Sequence, residues 1–216
     1  MSEIARRRYD SPLRREQAAR TRAGVIETAA RLFVEHGYAG TTIPMVAAEA
    51  GVAVETVYRS AAGKAGLLAD AVRAAVAGDP ERAQVPVEQR PAIRRIIEET
   101  DPRRQLRLYA ATQPGIWSRV GPLLRVLDEA AAGNPSLVEL RAKIADERRR
   151  GLRDGFCTLL EQRGALRPGL PAGRAGDIAY ALCGQANYQT LVVECLWSHR
   201  EYRDWLADML IAALLP

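Results

Sequence analysis

Arginines are concentrated at the start of the chain, where they could bind a polyanion. Residues 1–24 carry seven arginines and only three acidic residues, so this segment supplies +4 of the formal net charge of +5. Such a segment favours a polyanionic partner, and the alternative that charge alone leaves open is a solvated tail without one. The seven are Arg6, Arg7, Arg8, Arg14, Arg15, Arg20 and Arg22.

Residue types that support catalysis or metal binding form no site that the sequence makes visible. The three cysteines make no C-x-x-C pair, and only two histidines are present, so neither a zinc site nor a disulfide framework is indicated. The sequence also lacks G-x-S-x-G, a P-loop and a dinucleotide fingerprint. We therefore expect no enzyme, no metal and no cofactor. Buried free thiols are expected at Cys157, Cys183 and Cys195.

The segment 41–59 has the spacing of a helix-turn-helix, in which a tight turn holds two short helices so that the second can enter the major groove of DNA. Thr42 can cap the first helix, Pro44 is tolerated in its first turn, and Gly51 can form the turn. The remaining positions of the second helix face outward. The inward positions are small or apolar, namely Val46, Ala47, Val52 and Val57.

Five motifs in this part of the chain occur in the order found in the TetR family of bacterial regulators. The family pattern is F-x-x-x-G-Y, T-T, I-A-x-x-A-G-V, T-x-Y and G/S-K-x-x-L-L, and about residues 20–72 resemble it. The resemblance implies a three-helix, homeodomain-like helix-turn-helix domain that binds DNA. The matching residues are Phe33–Tyr38, Thr41–Thr42, Val46–Val52, Thr56–Tyr58 and Gly63–Leu68.

The resemblance assigns DNA-contacting roles to individual residues. It implies phosphate contacts by Thr42, Tyr58 and Lys64, whose hydroxyl and ammonium groups donate hydrogen bonds. The exposed start of the second helix would face base edges with Val54, Glu55 and Thr56. Val54 suits a thymine methyl group, whereas Glu55 suits either a cytosine amino group or the orientation of Arg59. Arg20 and Arg22 would add contacts to the backbone or minor groove.

Two positions depart from the family pattern. Ser60–Ala61 stands where the family usually has His-Phe, and Ala65 stands where Glu often follows the lysine. Loss of the aromatic side chain puts the angle of the second helix of the motif in question.

The composition, rich in Ala, Leu, Arg and Glu, predicts an all-α protein. We expect a disordered basic arm at 1–17, a helix-turn-helix domain at 18–78, and a ligand-sensing and dimerisation domain at 79–216. In the last of these, helices are predicted at about 88–99, 102–112, 115–132, 135–163 and 173–196, with a break near Gly184, followed by a final helix that Ser198 caps.

The larger domain is expected to form a homodimer, because bacterial helix-turn-helix regulators bind palindromic DNA as twofold dimers. Apolar residues of the C-terminal helices are the candidate interface, and this region resembles the dimer region of one TetR subgroup. Those residues are Leu182, Leu191, Val192, Leu196, Trp205, Leu206, Met209 and Leu210. A monomer core is the alternative use of the same residues.

The sensor pocket is the part that spacing determines least. Amphipathic residues suit a mostly apolar cavity with a few orienting polar atoms, and bending at Gly115, Gly121 and Pro122 would couple a bound ligand to the fourth helix. The candidates for contact with a small, mostly apolar ligand are Tyr109, Trp117, Tyr180, Asn187, Tyr188 and His199.

These expectations combine into a DNA-binding regulator, most simply a repressor that a small molecule releases from its operator. Activation uses the same fold and stays open. The alternatives are a helical protein that acts through protein partners and, with less support, an enzyme without a visible motif. No signal peptide or run of about 18 apolar residues is evident, so we expect a cytoplasmic protein without a membrane span.

Overall fold

The computed structural model describes residues 12–216, and within this range the chain forms helices and turns without a β-strand. The all-α prediction is confirmed. The N-terminal part contains four helices: α1 (Pro12–Gly40), α2 (Ile43–Glu49), α3 (Val54–Ser60) and α4 (Gly63–Ala77). Gly78, with φ +103°, ends α4 in the left-handed conformation that glycine adopts readily.

The C-terminal part begins with two short 3-10 turns, Arg82–Gln84 and Val87–Gln89, and continues as a bundle of helices. Its helices are α5 (Pro91–Glu98), α6 (Pro102–Ala131), α7 (Pro135–Arg150), α8 (Thr158–Gln162), α9 (Ala172–Leu182), α10 (Gln185–Tyr188) and α11 (His199–Leu214). Two π-helical segments, Gly151–Cys157 and Gln189–Glu194, follow α7 and α10. Ser198 caps α11 as expected, and its side chain and that of Glu201 form a reciprocal capping box.

Helix α1 begins earlier than the sequence pattern indicated. It starts at Pro12, so residues 12–17, which we expected to belong to a disordered arm, are helical. Residues 1–11 of the predicted arm lie outside the described residues. At the other end, the backbone leaves helical geometry at Gly37, with φ +69° and ψ 175°. The glycine therefore interrupts the helix at this point, and helical residues follow it.

Helix α6 packs against α1 and α4 of the N-terminal part and against α7 and α11 of the C-terminal part. We expected two helices here, 102–112 and 115–132, and this expectation was wrong. An internal proline removes a hydrogen bond and disfavours a continuous helix, but Pro114 is buried within the bundle. Packing of the surrounding side chains therefore compensates for the local cost.

Helix α9 approaches the π-helical segment 151–157 so closely that a side chain has no room at Gly176. A Cβ atom added there would lie 2.5 Å from Cγ and 2.7 Å from Cα of Arg153. We expect Gly176→Ala to lower the free energy of unfolding by about 1–3 kcal/mol, because backbone atoms must shift. Thermal denaturation followed by circular dichroism measures the change.

Gly173 on the same helix is the matched control. A Cβ atom there would meet only the far end of the Arg153 side chain, at 3.3 Å from Nη2. Gly173→Ala is therefore expected to be neutral or to stabilise the helix by up to about 1 kcal/mol. Equal stability of the two variants would contradict the close approach.

The cysteines differ in their surroundings. Cys157 and Cys183 are buried free thiols, as expected, and burial raises the pKa of each to about 12. Cys195 is exposed, contrary to expectation, because it lies where the second π-helical segment ends. Among the helices of residues 12–216, none combines the length and the apolar character that a membrane span requires.

Candidate nucleic-acid interface

Helices α2 and α3 form the predicted helix-turn-helix, and local hydrogen bonds define its turn. The Thr42 hydroxyl accepts a hydrogen bond from the Met45 backbone N–H and thereby caps α2. Gly51 follows with φ +66°, a backbone conformation that residues other than glycine rarely adopt. The Val52 N–H then donates to the Ala47 carbonyl at 2.9 Å, which closes the turn.

Helix α3 has one anchored side and one free side. Val57 is its only fully buried residue and packs into the core formed with α1, α2 and α4. Glu55, Tyr58 and Arg59 are exposed, and the Tyr58 side chain retains 59% of its accessible surface. A large aromatic side chain that is exposed to solvent on an anchored helix is available to contact a binding partner.

Arg59 lies back along α3, so that its charge is displayed near the start of the helix. Its Nη2 donates to the Thr56 hydroxyl at 3.2 Å, and its Nε donates to the Glu55 carbonyl at 3.4 Å. The Glu55 carboxylate is not the group that orients Arg59, so the second of the two roles considered for Glu55 has no support. Its carboxylate remains exposed at the first turn of α3.

Lys64 at the start of α4 is engaged within the domain. Its ammonium group donates to the Tyr38 carbonyl at 2.7 Å and to the Thr41 carbonyl at 2.9 Å, and lies 4.3 Å from the centre of the Tyr38 ring. These contacts fix the α1–α2 junction against α4. The predicted phosphate contact therefore has to share an ammonium group that already makes two hydrogen bonds.

The Arg22 side chain points into the helix-turn-helix domain, where it contacts α4 and the end of α3. Its Nη2 pairs with the buried Asp70 carboxylate at 2.7 Å, and its Nε donates to the Ser60 carbonyl at 3.1 Å. Arg73 also pairs with Asp70. The predicted DNA contact by Arg22 therefore has to share a guanidinium group that already makes two hydrogen bonds. The same bond anchors the end of α3 at the position where the family aromatic is missing.

Arg20, in contrast, lies exposed on the first half of α1. Its only described partner is Glu16, at 2.6 Å on the preceding turn, and both side chains are exposed. Such a pair contributes little stability and breaks readily when a stronger anion approaches. Arg14 is exposed on the same part of α1, whereas Arg6, Arg7 and Arg8 lie outside the described residues.

Three of the six predicted ligand contacts meet inside the larger domain. Tyr109 and Trp117 project from α6, and Tyr180 projects from α9, near a residue that the sequence pattern missed, Arg148 of α7. Its guanidinium carbon lies 5.2 Å from the Trp117 ring and 4.5 Å from the Tyr180 ring. Arg148 is the first of three consecutive arginines, and no sequence signal distinguished the inward-facing member of that run.

The other three predicted contacts lie toward the C-terminal end. The Tyr188 hydroxyl is 2.9 Å from Nε2 of His199, and the Tyr188 ring packs edge-on to Tyr202 with centres 5.4 Å apart. Burial raises the pKa of Tyr188. Asn187 instead donates to the Ala181 and Leu182 carbonyls, where it caps the end of α9. Its position therefore indicates a structural role.

An open surface cleft of about 880 Å³ lies elsewhere, between the α5–α6 region and α11. None of the six predicted ligand contacts lines it. Arginine and carboxylate side chains line it in equal number, so its charge selects neither anions nor cations. Those charged residues are Arg95, Arg104, Arg107, Arg203, Glu98, Glu99, Asp204 and Asp208.

Comparison with known proteins agrees with this architecture. The sequence model of the family described as "Bacterial regulatory proteins, tetR family" matches residues 25–71, which extend from α1 into α4. None of the curated proteins matches the chain. Many solved structures are similar to it over most of its length.

Three of these structures illustrate the likeness. A protein of Mesorhizobium loti described as a TetR-family transcriptional regulator is 20% identical, with a TM-score of 0.68 over 93% of this chain and 99% of that one. NalD of Pseudomonas aeruginosa, the secondary repressor of the MexAB-OprM multidrug efflux pump, is 20% identical, with a TM-score of 0.67 over 92% and 98%. FadR of Bacillus subtilis, in complex with stearoyl-CoA, is 19% identical, with a TM-score of 0.66 over 88% and 97%. Residues 25–71 therefore carry the sequence pattern of the TetR family's DNA-binding domain, and the chain as a whole has the fold of solved structures described as regulators of that family.

Proposed function

We propose that the protein is a repressor that binds a palindromic operator as a homodimer through α3 and is released by a small molecule bound in its larger domain. The observation that carries this proposal is the outward face of α3, where Tyr58 and Arg59 are exposed while Val57 on the opposite side is buried in the core. A role on DNA also implies the cytoplasm as its location.

Exposure and chemistry divide the proposed DNA contacts into two groups. Thr42, Tyr58 and Arg20 are exposed donors suited to phosphate, and Lys64 adds its remaining N–H. The N-terminal turn of α3 would present base-reading groups, from Val54, Glu55 and Thr56, with Arg59 drawn beside them by its bond to Thr56. We propose a structural role for Arg22 in place of a DNA contact, because Asp70 and Ser60 engage two nitrogens of its guanidinium group.

The proposed dimer uses the C-terminal end of the larger domain. Leu196 is 83% exposed and Met209 is partly exposed, and the half-buried Trp197 and Trp205 pack edge-on nearby, with ring centres 6.4 Å apart. An apolar surface of this kind favours a protein partner over water. Leu206 and Leu210 are fully buried within one subunit, so they belong to the monomer core and not to the proposed interface.

The proposed release uses α6, which touches both domains. The Trp117 ring of α6 stacks against Arg148 of the larger domain. Two residues further along α6, the Arg119 side chain donates to the Ala75 carbonyl of α4 at 2.9 Å. A mostly apolar groove of about 320 Å³ between α1, α4 and α6 gives α4 room to move. A ligand that displaced α6 would thus change the position of α4, and with it the spacing of the two α3 helices.

Two of the similar structures support the regulatory part of this proposal. NalD is a repressor and FadR was solved with stearoyl-CoA, which makes repression and response to an organic ligand reasonable for this chain. Their sequence identity to this chain is low, so neither the ligand nor the operator is carried over. The similarity of fold supports only the arrangement of a helix-turn-helix domain joined to a ligand-sensing domain.

A gel-shift experiment tests the proposed function. The full chain is mixed with DNA from upstream of its own coding sequence, at several salt concentrations and with competitor DNA. Specific binding that weakens steeply with salt is the expected result, because phosphate contacts release counterions. Absence of binding at low salt, to this DNA and to genomic fragments, would instead support a protein that acts through protein partners.

A further inference from the structure

One half-buried cation in the larger domain, Arg148, stacks on two aromatic rings and has no counter-ion in the described structure. Arg148 leaves α7 toward the domain interior and stacks on Trp117 and Tyr180, whereas Arg149 and Arg150 of the same run are exposed. Across residues 12–216, no carboxylate lies within ion-pairing distance of Arg148. Burying a charge is unfavourable unless a counter-charge or hydrogen bonds compensate for the lost water.

The hydrogen bonds of Arg148 use only part of its guanidinium group. Nη2 donates to the Cys183 carbonyl at 2.5 Å and to the Tyr180 carbonyl at 3.4 Å, near the end of α9. A guanidinium group has five N–H donors in a planar fork, which matches the two oxygens of a carboxylate. Arg148 is half-buried, and the N–H donors that α9 does not use have no partner in the described structure.

Other donors around Arg148 are also unused. The indole N–H of Trp117, the ring on which Arg148 stacks, is buried and has no partner within the described structure, and Trp117 is only 4% exposed. The buried Tyr202 hydroxyl likewise has no described partner. Native proteins satisfy nearly all buried polar groups, so a group of unpaired donors indicates that an acceptor belongs there.

The titration of the neighbouring phenols is consistent with this arrangement. Burial raises the pKa of Tyr109 and of Tyr202 well above the ordinary value, and the positive charge of Arg148 opposes the increase at both. Both phenols therefore stay protonated at neutral pH and keep a hydroxyl hydrogen that can be donated. The cluster formed by Arg148, Trp117, Tyr109, Tyr180 and Tyr202 thus offers a positive charge, N–H and O–H donors and aromatic surface.

We propose that this cluster binds an anionic ligand, a small organic acid whose charged oxygens pair with Arg148 and whose apolar body lies against Trp117 and Tyr180. This inference rests on the proposed function, because it names the chemical class of the releasing molecule. The competing explanation is structural, in which Arg148 only neutralises the carbonyl end of α9. Neutralising the end of α9 requires only the two Nη2 hydrogen bonds of Arg148. It does not explain why the buried indole N–H of Trp117 has no acceptor.

A pair of fluorescent probes that differ in charge tests the inference. Binding of 8-anilinonaphthalene-1-sulfonate and of the uncharged N-phenyl-1-naphthylamine is measured on the full chain without DNA. Arg148→Met is expected to weaken binding of the sulfonate at least about tenfold, the size of a lost charge-assisted contact, and to change binding of the uncharged probe by less than about twofold. Arg150→Met is the matched control, because Arg150 is exposed and pairs only with Asp146 in the described structure. It should leave both affinities unchanged.

A measurement on the wild-type protein keeps the inference testable if Arg148→Met does not fold. Sodium 1-naphthoate and 1-naphthamide compete with the bound sulfonate probe, and the acid should displace it at a concentration at least about tenfold lower. Equal displacement, failure of the wild type to bind the sulfonate, or equal changes for both probes in Arg148→Met would overturn the anion site. Because no DNA is present, these outcomes are independent of the gel-shift result.

Discussion

Replacing Tyr58 with alanine is expected to weaken operator binding by about 10- to 100-fold, the range for losing a hydrogen bond to a charged group together with its packing. The side chain is 59% exposed and lies on the free side of α3. Its removal should therefore leave the fold intact, and the thermal unfolding temperature should change by less than about 2 °C.

Fluorescence anisotropy with a labelled operator measures this effect, and Tyr58→Phe is the matched control. Phenylalanine keeps the ring and loses only the hydroxyl group, so its affinity should fall between those of the wild type and the alanine variant. If Tyr58→Ala binds the operator as tightly as the wild type, then the outward face of α3 does not lie against DNA.

The second large effect concerns Arg22, whose partners in the structure lie within its own domain. Arg22→Met removes the ion pair to the buried Asp70 and the hydrogen bond to the Ser60 carbonyl. We expect the free energy of unfolding to fall by about 2–3 kcal/mol, less than the full cost of an unpaired buried charge, because Arg73 still pairs with Asp70. The unfolding temperature should then fall by about 4–12 °C.

Arg20→Met separates this structural effect from a contact with DNA. Arg20 is exposed, and within residues 12–216 it pairs only with the exposed Glu16, so its replacement should change stability by less than about 0.5 kcal/mol. It should instead weaken DNA binding and reduce the slope of log affinity against log salt by about 1. If Arg22→Met were as stable as the wild type and reduced that slope in the same way, Arg22 would face DNA after all.

The helix-turn-helix could be predicted in detail because short-range rules determine it. Thr42 caps α2 and Gly51 forms the turn, each at a position where residue type limits the backbone conformation. The continuous helix α6 could not be predicted, because the cost of Pro114 is local while its compensation comes from packing against distant helices. The π-helical segments could not be predicted either, because no local sequence pattern encodes them.

The candidate site could be predicted by residue type but not by side-chain direction. Arg20 and Arg22 are two positions apart on one helix, yet the first faces solvent and the second reaches Asp70, 48 residues further along the chain. The larger domain shows the same difference between neighbouring arginines, because Arg148 is half-buried whereas Arg149 and Arg150 are exposed. Which arginine turns inward depends on partners that folding brings together, and the single sequence does not record them.

Selection of DNA sequences from a random pool by the full chain tests the central claim most directly. If two copies of α3 enter one duplex, the enriched sequences should be inverted repeats whose half-site centres lie one helical turn, about 10–10.5 base pairs, or a multiple of that distance apart. Tyr58→Ala should enrich the same repeat more weakly. Enrichment of an asymmetric single site, or no enrichment at any salt concentration, would contradict the account.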